Sequence, residues 1–245
     1  MTPSLKHYDE FKRVLASYRM SDNALQVIGG LKLVLLPAAT ATGRSAVIKE
    51  LLKTGSYHYL ISDTTRPPRI NDGVMEENGR EYWFRKEEEM LADLQAGKFL
   101  EAELIHNQQV SGISIRELEK ARQEGKTAIT EADIEGVHNI LRAKPDTLVI
   151  MLLPPNFDEW QKRIVSRGHM SDQEYKRRVE SAKQVWEDGI KQSYYRFVVN
   201  DNVEHAAQTV DAQAQGKSNP QHSRGIEVIH ELQSRLQQKL DSMYF

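Results

Sequence analysis

Between residues 32 and 213 the chain alternates short, almost continuously apolar runs with longer stretches whose apolar positions recur every three or four residues. Leu31–Leu36 (LKLVLL) predicts a strand, and Val47, Ile48, Leu51 and Leu52 predict the helix behind it. His58–Ile61, Lys126–Thr130, Thr147–Leu153 and Arg196–Asn200 are further strand candidates, and helical periodicity fills Lys86–Ala96, Ile115–Glu124, Asn156–Ser166 and Asp172–Lys191. Strands that are apolar throughout, rather than at alternate positions, are covered on both faces. Their alternation with amphipathic helices predicts an α/β fold, a parallel sheet with helices on both faces. No repeat at a solenoid period is present.

Two appendages flank this body. Residues 5–19 carry Leu5, Tyr8, Phe11, Val14, Leu15 and Tyr18 on one helical face. At the other end Gln213–Arg224 (QAQGKSNPQHSR) reads as a polar linker containing Gly216 and Pro220. A helix follows it, striped by Ile229, Leu232, Leu236 and Leu240. The expected organisation is an N-terminal helical extension over 1–30, a main domain over 31–213, and a linker with a C-terminal helix over 214–245. The two apolar stripes are expected to pack on the domain or on each other, with a homodimer through the helix pair as the alternative.

Composition narrows the partners. A net charge of −2 with 28% charged residues gives no global basic field, so neither nucleic acid nor an anionic membrane is expected as a partner. The absence of cysteine excludes disulfides, thiolate metal sites and cysteine nucleophiles, and suits a reducing cytoplasm. The first ten residues are charged where a secretory signal needs an apolar core, and no apolar run approaches the roughly 20 residues that span a bilayer. A soluble cytoplasmic protein is expected.

The candidate chemistry begins at Ser62-Asp63-Thr64-Thr65-Arg66-Pro67-Pro68-Arg69. Two arginines three residues apart, in a loop stiffened by two prolines, present planar forks of donors that match phosphate oxygens. Upstream, Ala38-Ala39-Thr40-Ala41-Thr42-Gly43-Arg44-Ser45 stands between a strand and a helix, where a phosphate loop of the form G-x-x-x-x-G-K-[ST] would lie. Gly43 and Ser45 fit that pattern. Ala38 stands in place of its first glycine, where a backbone angle suited to glycine is expected, and Arg44 in place of its lysine. Taken alone, the segment is equally an ordinary strand–helix turn.

With both segments in view, the chain resembles guanylate kinase, a P-loop nucleoside monophosphate kinase, from about Leu31 to Asn202. Ser62–Arg69 is similar to the family's S-x-T-T-R-x-P-R, and Asn78-Gly79-Arg80-Glu81-Tyr82-Trp83-Phe84 to its D/N-G-x-x-Y-x-F, after a loop at 71–77 longer than usual. The resemblance implies that Arg66, Arg69 and Tyr82 hold the phosphate of GMP and that Ser62 lies beside the guanine. Gly97-Lys98-Phe99-Leu100-Glu101 resembles G-x-F-[IL]-E, which makes Glu101 the residue that reads the guanine N1 and exocyclic amine. Where the family has N-Y-Y-G-[ST]-S, this chain has Gln109-Val110-Ser111-Gly112-Ile113-Ser114. Ser111 and Ile113 therefore replace a tyrosine and a hydroxyl, and Ser114 remains a candidate GMP contact.

Thr130–Val137 looks like L-[DE]-I-D-x-Q-G. It offers Glu131 and Asp133 to the phosphates, with Glu131 and Ser45 the candidate Mg²⁺ ligands, Asp133 a GMP contact, and either acid able to face the metal. Arg163, Arg167-Gly168 and Arg178 resemble the lid arginines, and Asn200 the residue that touches the adenine of ATP. The resemblance thus implies the P-loop nucleoside-monophosphate-kinase fold, with a GMP-binding part at about 62–125 and a lid at about 156–180. It also implies ATP bound over Thr42, Gly43, Arg44 and Ser45 with Mg²⁺, and Arg44, Arg163, Arg167 and Arg178 acting as catalytic cations. The expected activity is ATP-dependent phosphorylation of GMP. The alternative is a guanylate kinase-like nucleotide-binding or scaffold protein that has lost the chemistry.

Overall fold

The longest uninterrupted apolar run, Leu148–Leu153, forms a strand whose last five residues are buried, and the second half of the chain assembles around it. The computed structural model describes residues 5–71, 73–105, 107–166 and 170–243. In chain order the elements begin with α1 (Tyr8–Ala16), α2 (Asp22–Gly29), β1 (Leu33–Leu35), α3 (Arg44–Lys53), β2 (Tyr57–Tyr59) and β3 (Asp63–Thr64). They continue with β4 (Ile70–Asn71), β5 (Val74–Met75), β6 (Trp83–Phe84), α4 (Glu87–Gln95), β7 (Phe99–Ile105), β8 (Gln109–Ser114), α5 (Ile115–Gln123) and β9 (Thr127–Thr130). The last are α6 (Ile134–Ala143), β10 (Leu148–Leu153), α7 (Phe157–Val165), α8 (Asp172–Lys191), β11 (Arg196–Val199), α9 (Val203–Ala214) and α10 (His222–Met243).

These elements divide into two compact units. The second unit comprises Leu33–Tyr57, Glu131–Val137 and Thr147–Phe245. Its β1, β10 and β11 pair in parallel, with Val34 opposite Leu148 and Ile150 opposite Arg196, as continuously apolar strands predict. Helix α10 packs on α7, α8, β10 and β11, while α9 packs on α3 and β11. Trp160 and Trp186 meet edge to face in this core with ring centroids 4.8 Å apart.

The first unit comprises Met1–Lys32, His58–Thr130 and His138–Asp146. It is built on a four-stranded sheet in the order β6-β3-β8-β7, mostly antiparallel, with β7 at an edge. Phe11 of α1 joins Met90, Leu94, Phe99 and Val110 in its core.

Several elements differ from expectation. The N-terminal periodicity over 5–19 yields a helix only over Tyr8–Ala16, followed by the separate α2, which the Ser21 hydroxyl starts by accepting the Ala24 N–H at 3.3 Å. The expected linker over 213–224 shrinks to residues 215–221, because α9 runs to Ala214 and α10 begins at His222. The long loop at 71–77 contains most of a small hairpin, β4–β5, whose Ile70, Val74 and Met75 are exposed and so leave no burial pattern to read. Both terminal stripes are buried within the chain itself: Leu5 and Phe11 at one end, Ile229, Leu232, Leu236 and Leu240 at the other. Among the described residues no helix is long and apolar enough to cross a membrane.

Candidate active site

In the second unit the segment Ala38–Ser45 is a loop that opens directly into α3, with Gly43 as the residue before the helix. Expectation put the glycine-like backbone angle at Ala38. The left-handed residues are instead Ala41, at φ +65°, and Gly43, at φ +86°. Gly43 is doubly constrained, since a Cβ there would stand 2.5 Å from the Asn200 amide nitrogen. Ala41 carries the left-handed angle with its side chain, which costs about 1–2 kcal/mol.

What holds this loop is a set of bonds to its carbonyls. Trp160 Nε1 donates to Thr40 O at 2.9 Å, Asn200 Nδ2 to Thr42 O at 2.7 Å, and the Thr42 hydroxyl to Ala39 O at 3.0 Å. Trp160, Asn200 and Thr42 are all buried. A trans peptide points its N–H opposite its C=O. Fixing the Thr40 and Thr42 carbonyls onto these buried side chains therefore turns the Ala41 and Gly43 N–H groups the other way, toward the N-terminal end of α3. That concentration of N–H dipoles is an anion cradle.

Beside the cradle lies Glu131. The Ser45 hydroxyl donates to Glu131 Oε1 at 3.1 Å, and the Arg44 guanidinium reaches Glu131 Oε2 at 2.7 Å and Leu36 O at 3.4 Å. Asp133 does something different: its carboxylate accepts the Gly136 N–H at 2.8 Å and caps the first turn of α6. Of the arginines expected to form a lid, Arg163 bonds Glu159 at 3.0 Å and Asn200 O at 3.3 Å, while Arg178 bonds Glu174 at 2.5 Å. A terminal nitrogen of Arg178 is buried without a hydrogen-bond partner. Arg167 and Gly168 lie outside the described residues.

The first unit carries the other candidate residues. Arg66 forks onto Glu76, with NH1 at 2.5 Å and NH2 at 2.8 Å, and its charge lies 4.6 Å from the centre of the Tyr82 ring. Glu76 also accepts the Arg69 N–H at 2.9 Å, so the inserted hairpin brings one carboxylate back onto both arginine positions. Arg69 itself is exposed. The Ser62 carbonyl accepts the Trp83 N–H at 2.9 Å, which fastens the arginine loop to the Tyr82 strand.

Register places Glu101 opposite Ile113, Glu103 opposite Ser111, and Ser111 opposite Thr64, so these side chains share one face of the sheet. Ser111 donates to the Thr64 hydroxyl at 2.8 Å. Ser114 precedes α5 with its hydroxyl buried and unbonded. An unpaired buried hydroxyl is costly, and a ligand atom would satisfy it.

Two networks in this unit have no counterpart among the expected residues. Glu117 on α5, almost wholly buried, accepts from His58 at 3.1 Å, from the Ile61 N–H at 3.2 Å and from Trp83 Nε1 at 3.0 Å. Burial pushes its carboxyl up, but those three donors outweigh burial and hold it below the usual carboxylate range. Asp63, fully buried, lies between Arg85 at 2.5 Å and Arg116 at 2.8 Å. Burial raises its carboxyl and the two guanidiniums oppose the rise. Both networks sit one residue from an expected ligand, Glu117 beside Ser62 and Tyr82 through Ile61 and Trp83, and Asp63 next to Ser62. A charged residue on an amphipathic helix reads as solvated, so sequence gave no signal for Glu117.

A family model described as guanylate kinase matches residues 30–215, well over half the chain. The chain belongs to the guanylate kinase family. It is 35% identical over 175 residues to a guanylate kinase of Porphyromonas gingivalis, covering 70% of this chain and 90% of that one. It is 31% identical over 180 residues to a guanylate kinase of Thermotoga maritima, covering 73% and 84%. A crystal structure of guanylate kinase from Anaplasma phagocytophilum superposes with a TM-score of 0.55 over 76% of this chain and 85% of that one. At 22% identity that likeness speaks for the fold, the α/β architecture that the strand pattern predicts and the kinase fold that the motif resemblance implies. Within this guanylate kinase-family chain, α1 and α2 lie ahead of the matched region and α10 lies behind it.

Proposed function

We propose that the chain transfers the γ-phosphoryl group of ATP to GMP. The observation that carries this reading is the Ala38–Ser45 loop. Although two signature residues are replaced, buried side chains hold its carbonyls and leave an N–H cradle at the start of α3. Arg44 supplies a cation at that cradle, and Arg163 and Arg178 supply two more within the same unit. Phosphoryl transfer asks chiefly for positioned charge, with no covalent intermediate on the protein. In the first unit Arg66, Arg69 and Tyr82 would bind the acceptor phosphate, and Ser62, Glu101 and Ser114 its base. A carboxylate at Glu101 favours guanine, whose edge offers two adjacent donors, over adenine.

Mg²⁺ fits the second unit's donor set. Among the described residues no group of three or more acids or histidines is arranged to hold a metal ion by itself, and Ser45 Oγ and Glu131 meet at 3.1 Å. Magnesium is usually held by one or two carboxylates together with substrate phosphates, so one hydroxyl and one carboxylate suffice. Ser45 and Glu131 would hold it, and it would neutralise charge on the phosphates of ATP. Arg44 would leave Glu131 for the phosphates as they arrive.

The test is ADP release from Mg-ATP in a coupled assay with GMP, AMP, CMP or UMP as acceptor. Turnover with GMP alone is expected, and Glu101→Ala should weaken GMP far more than ATP. No turnover, with GMP still bound by calorimetry, would replace this reading with the non-catalytic alternative, for which the Arg44–Glu131 pair would be a resting lock.

A further inference from the structure

We propose that Tyr18, ahead of the matched family region, positions Glu101 for base reading, and that the segment around it forms a specificity wall against the guanine 2-amino edge. The inference rests on the GMP kinase reading above.

The argument starts from a bulge. Phe99 is paired with Ser114 and Glu101 with Ile113, so Leu100 is an extra residue in β7. Phe99 packs in the same apolar cluster as Ala102 and Leu104, three and five residues on. Strict alternation would put Phe99, Glu101 and Glu103 on one face. The extra residue shifts the alternation, so Glu101 and Glu103 turn away from the face that α1 and α4 cover. The direction of the Glu101 carboxylate therefore depends on the bulge staying where it is.

β7 is an edge strand, and residues 18–21 are what secure the bulge from its open side. The Tyr18 hydroxyl donates to Phe99 O and accepts the Phe99 N–H, both at 2.7 Å. One side chain thus satisfies both edge-facing backbone groups of the residue where the bulge begins. Burial pushes the Tyr18 hydroxyl up to about 12, so it is protonated and able to donate at neutral pH. Two residues earlier the Ser21 N–H donates to Gly97 O at 3.0 Å. Gly97 sits at φ +65°, and a Cβ there would stand 2.5 Å from the Ser21 nitrogen, so the approach needs a glycine.

A second observation points to the same place. A cavity of about 530 Å³ is lined by Glu101 together with Leu15, Tyr18, Arg19, Leu25 and Arg142. Glu101 and the N-terminal segment thus line one space, apolar on its leucine side and charged at Glu101, Arg19 and Arg142, which suits the flat edge of a purine carrying an exocyclic amine.

The test is Tyr18→Phe, assayed with GMP and with IMP, which lacks the 2-amino donor. We expect KM for GMP to rise about tenfold, from leaving backbone groups unbonded and the carboxylate misaimed. KM for ATP should be unchanged, and the preference for GMP over IMP should narrow several-fold. Gly97→Ala disrupts the neighbouring Ser21–Gly97 contact and should give the same split. Tyr8→Phe, which removes a bond from the α1 hydroxyl to Asn107 at 3.1 Å, should move neither KM nor the preference. A merely structural Tyr18 would lower the melting temperature and leave the GMP-to-IMP ratio alone. That ratio unchanged in folded Tyr18→Phe, or in Gly97→Ala should Tyr18→Phe not fold, overturns the inference while leaving the GMP reading intact. Wild-type protein that neither binds nor phosphorylates GMP overturns both.

Discussion

Replacing Glu76 with glutamine would remove one charge from a pair that the first unit keeps out of water. The Arg66 and Glu76 side chains are 8% and 5% exposed, and Glu76 accepts two guanidinium bonds and the Arg69 N–H. Glutamine preserves the shape but offers one acceptor oxygen, and its amide turns a donor toward donors. Breaking a buried ion pair from one side costs about 3–5 kcal/mol, because the remaining charge stays buried. The Tyr82 and Phe84 rings, 4.6 and 5.6 Å from the Arg66 charge, remain and offset about 1 kcal/mol. The expected loss is therefore about 3 kcal/mol, or roughly 6–12 °C in Tm for a chain of this size. Calorimetric melts would measure it, with Glu77→Gln as control. Glu77 pairs with Arg80 at 3.0 Å, but those side chains are 66% and 46% exposed, so the control should lose less than about 1 kcal/mol. Saturating GMP should raise the Tm of Glu76→Gln more than that of the wild type, because the phosphate returns an anion to Arg66. A loss under about 1 kcal/mol in Glu76→Gln would refute the reasoning, since Arg66 would then not depend on Glu76 for its buried charge.

Three further outcomes are expected. Ala41→Gly should stabilise the chain by about 0.5–1 kcal/mol, the relief of a left-handed alanine less the extra entropy of an unfolded glycine, and a melt that does not rise would speak against strain at Ala41. Arg44→Ala should reduce kcat by at least about 100-fold while calorimetry finds GMP affinity unchanged, and an undiminished rate would remove Arg44 from the mechanism. The hydrogen bonds to Glu117 hold its folded carboxyl below the ordinary value of 4.5, so their contribution is present at neutral pH and lost as pH falls through the depressed value. Urea midpoints should therefore fall less steeply below pH 5 in Glu117→Gln than in the wild type, and equal slopes would detach Glu117 from the acid response.

Much of the fold was legible because burial leaves a period in the sequence. Leu148–Leu153 and Asp172–Lys191 are long and strongly patterned, and they appear where the pattern put them. Short or exposed elements leave no such trace. The eight-residue α2 has room for barely two turns of periodicity, and Gly136 interrupts the pattern of α6. The exposed β4–β5 hairpin has nothing to bury. The site was legible where one loop carries its own chemistry, as Ser62–Arg69 does. It was not where function depends on distant partners: Glu76 is displaced by the hairpin, and His58, Glu117 and Trp83 meet only through the fold. Tyr18 and Phe99 are 81 residues apart, and neither carries a motif that announces the other.

The Ala38–Ser45 loop shows why a lost motif and a lost geometry are different things. Glycine makes a phosphate loop easy to form, because a left-handed backbone then needs no outside support. With alanine at position 41 the same angle has to be imposed by the surroundings, and strained angles persist only where those surroundings over-determine them. Trp160 and Asn200 do so from far downstream in sequence, each buried and each bonded to a loop carbonyl. Arginine in place of lysine follows the same logic. Its longer, planar head is held at one end by Glu131 and at the other by Leu36 O, so its position is set by two bonds rather than by a short side chain's reach. The information that the motif usually carries in its own residues is carried here by their neighbours, which is why the loop departs from the pattern and still presents a cradle.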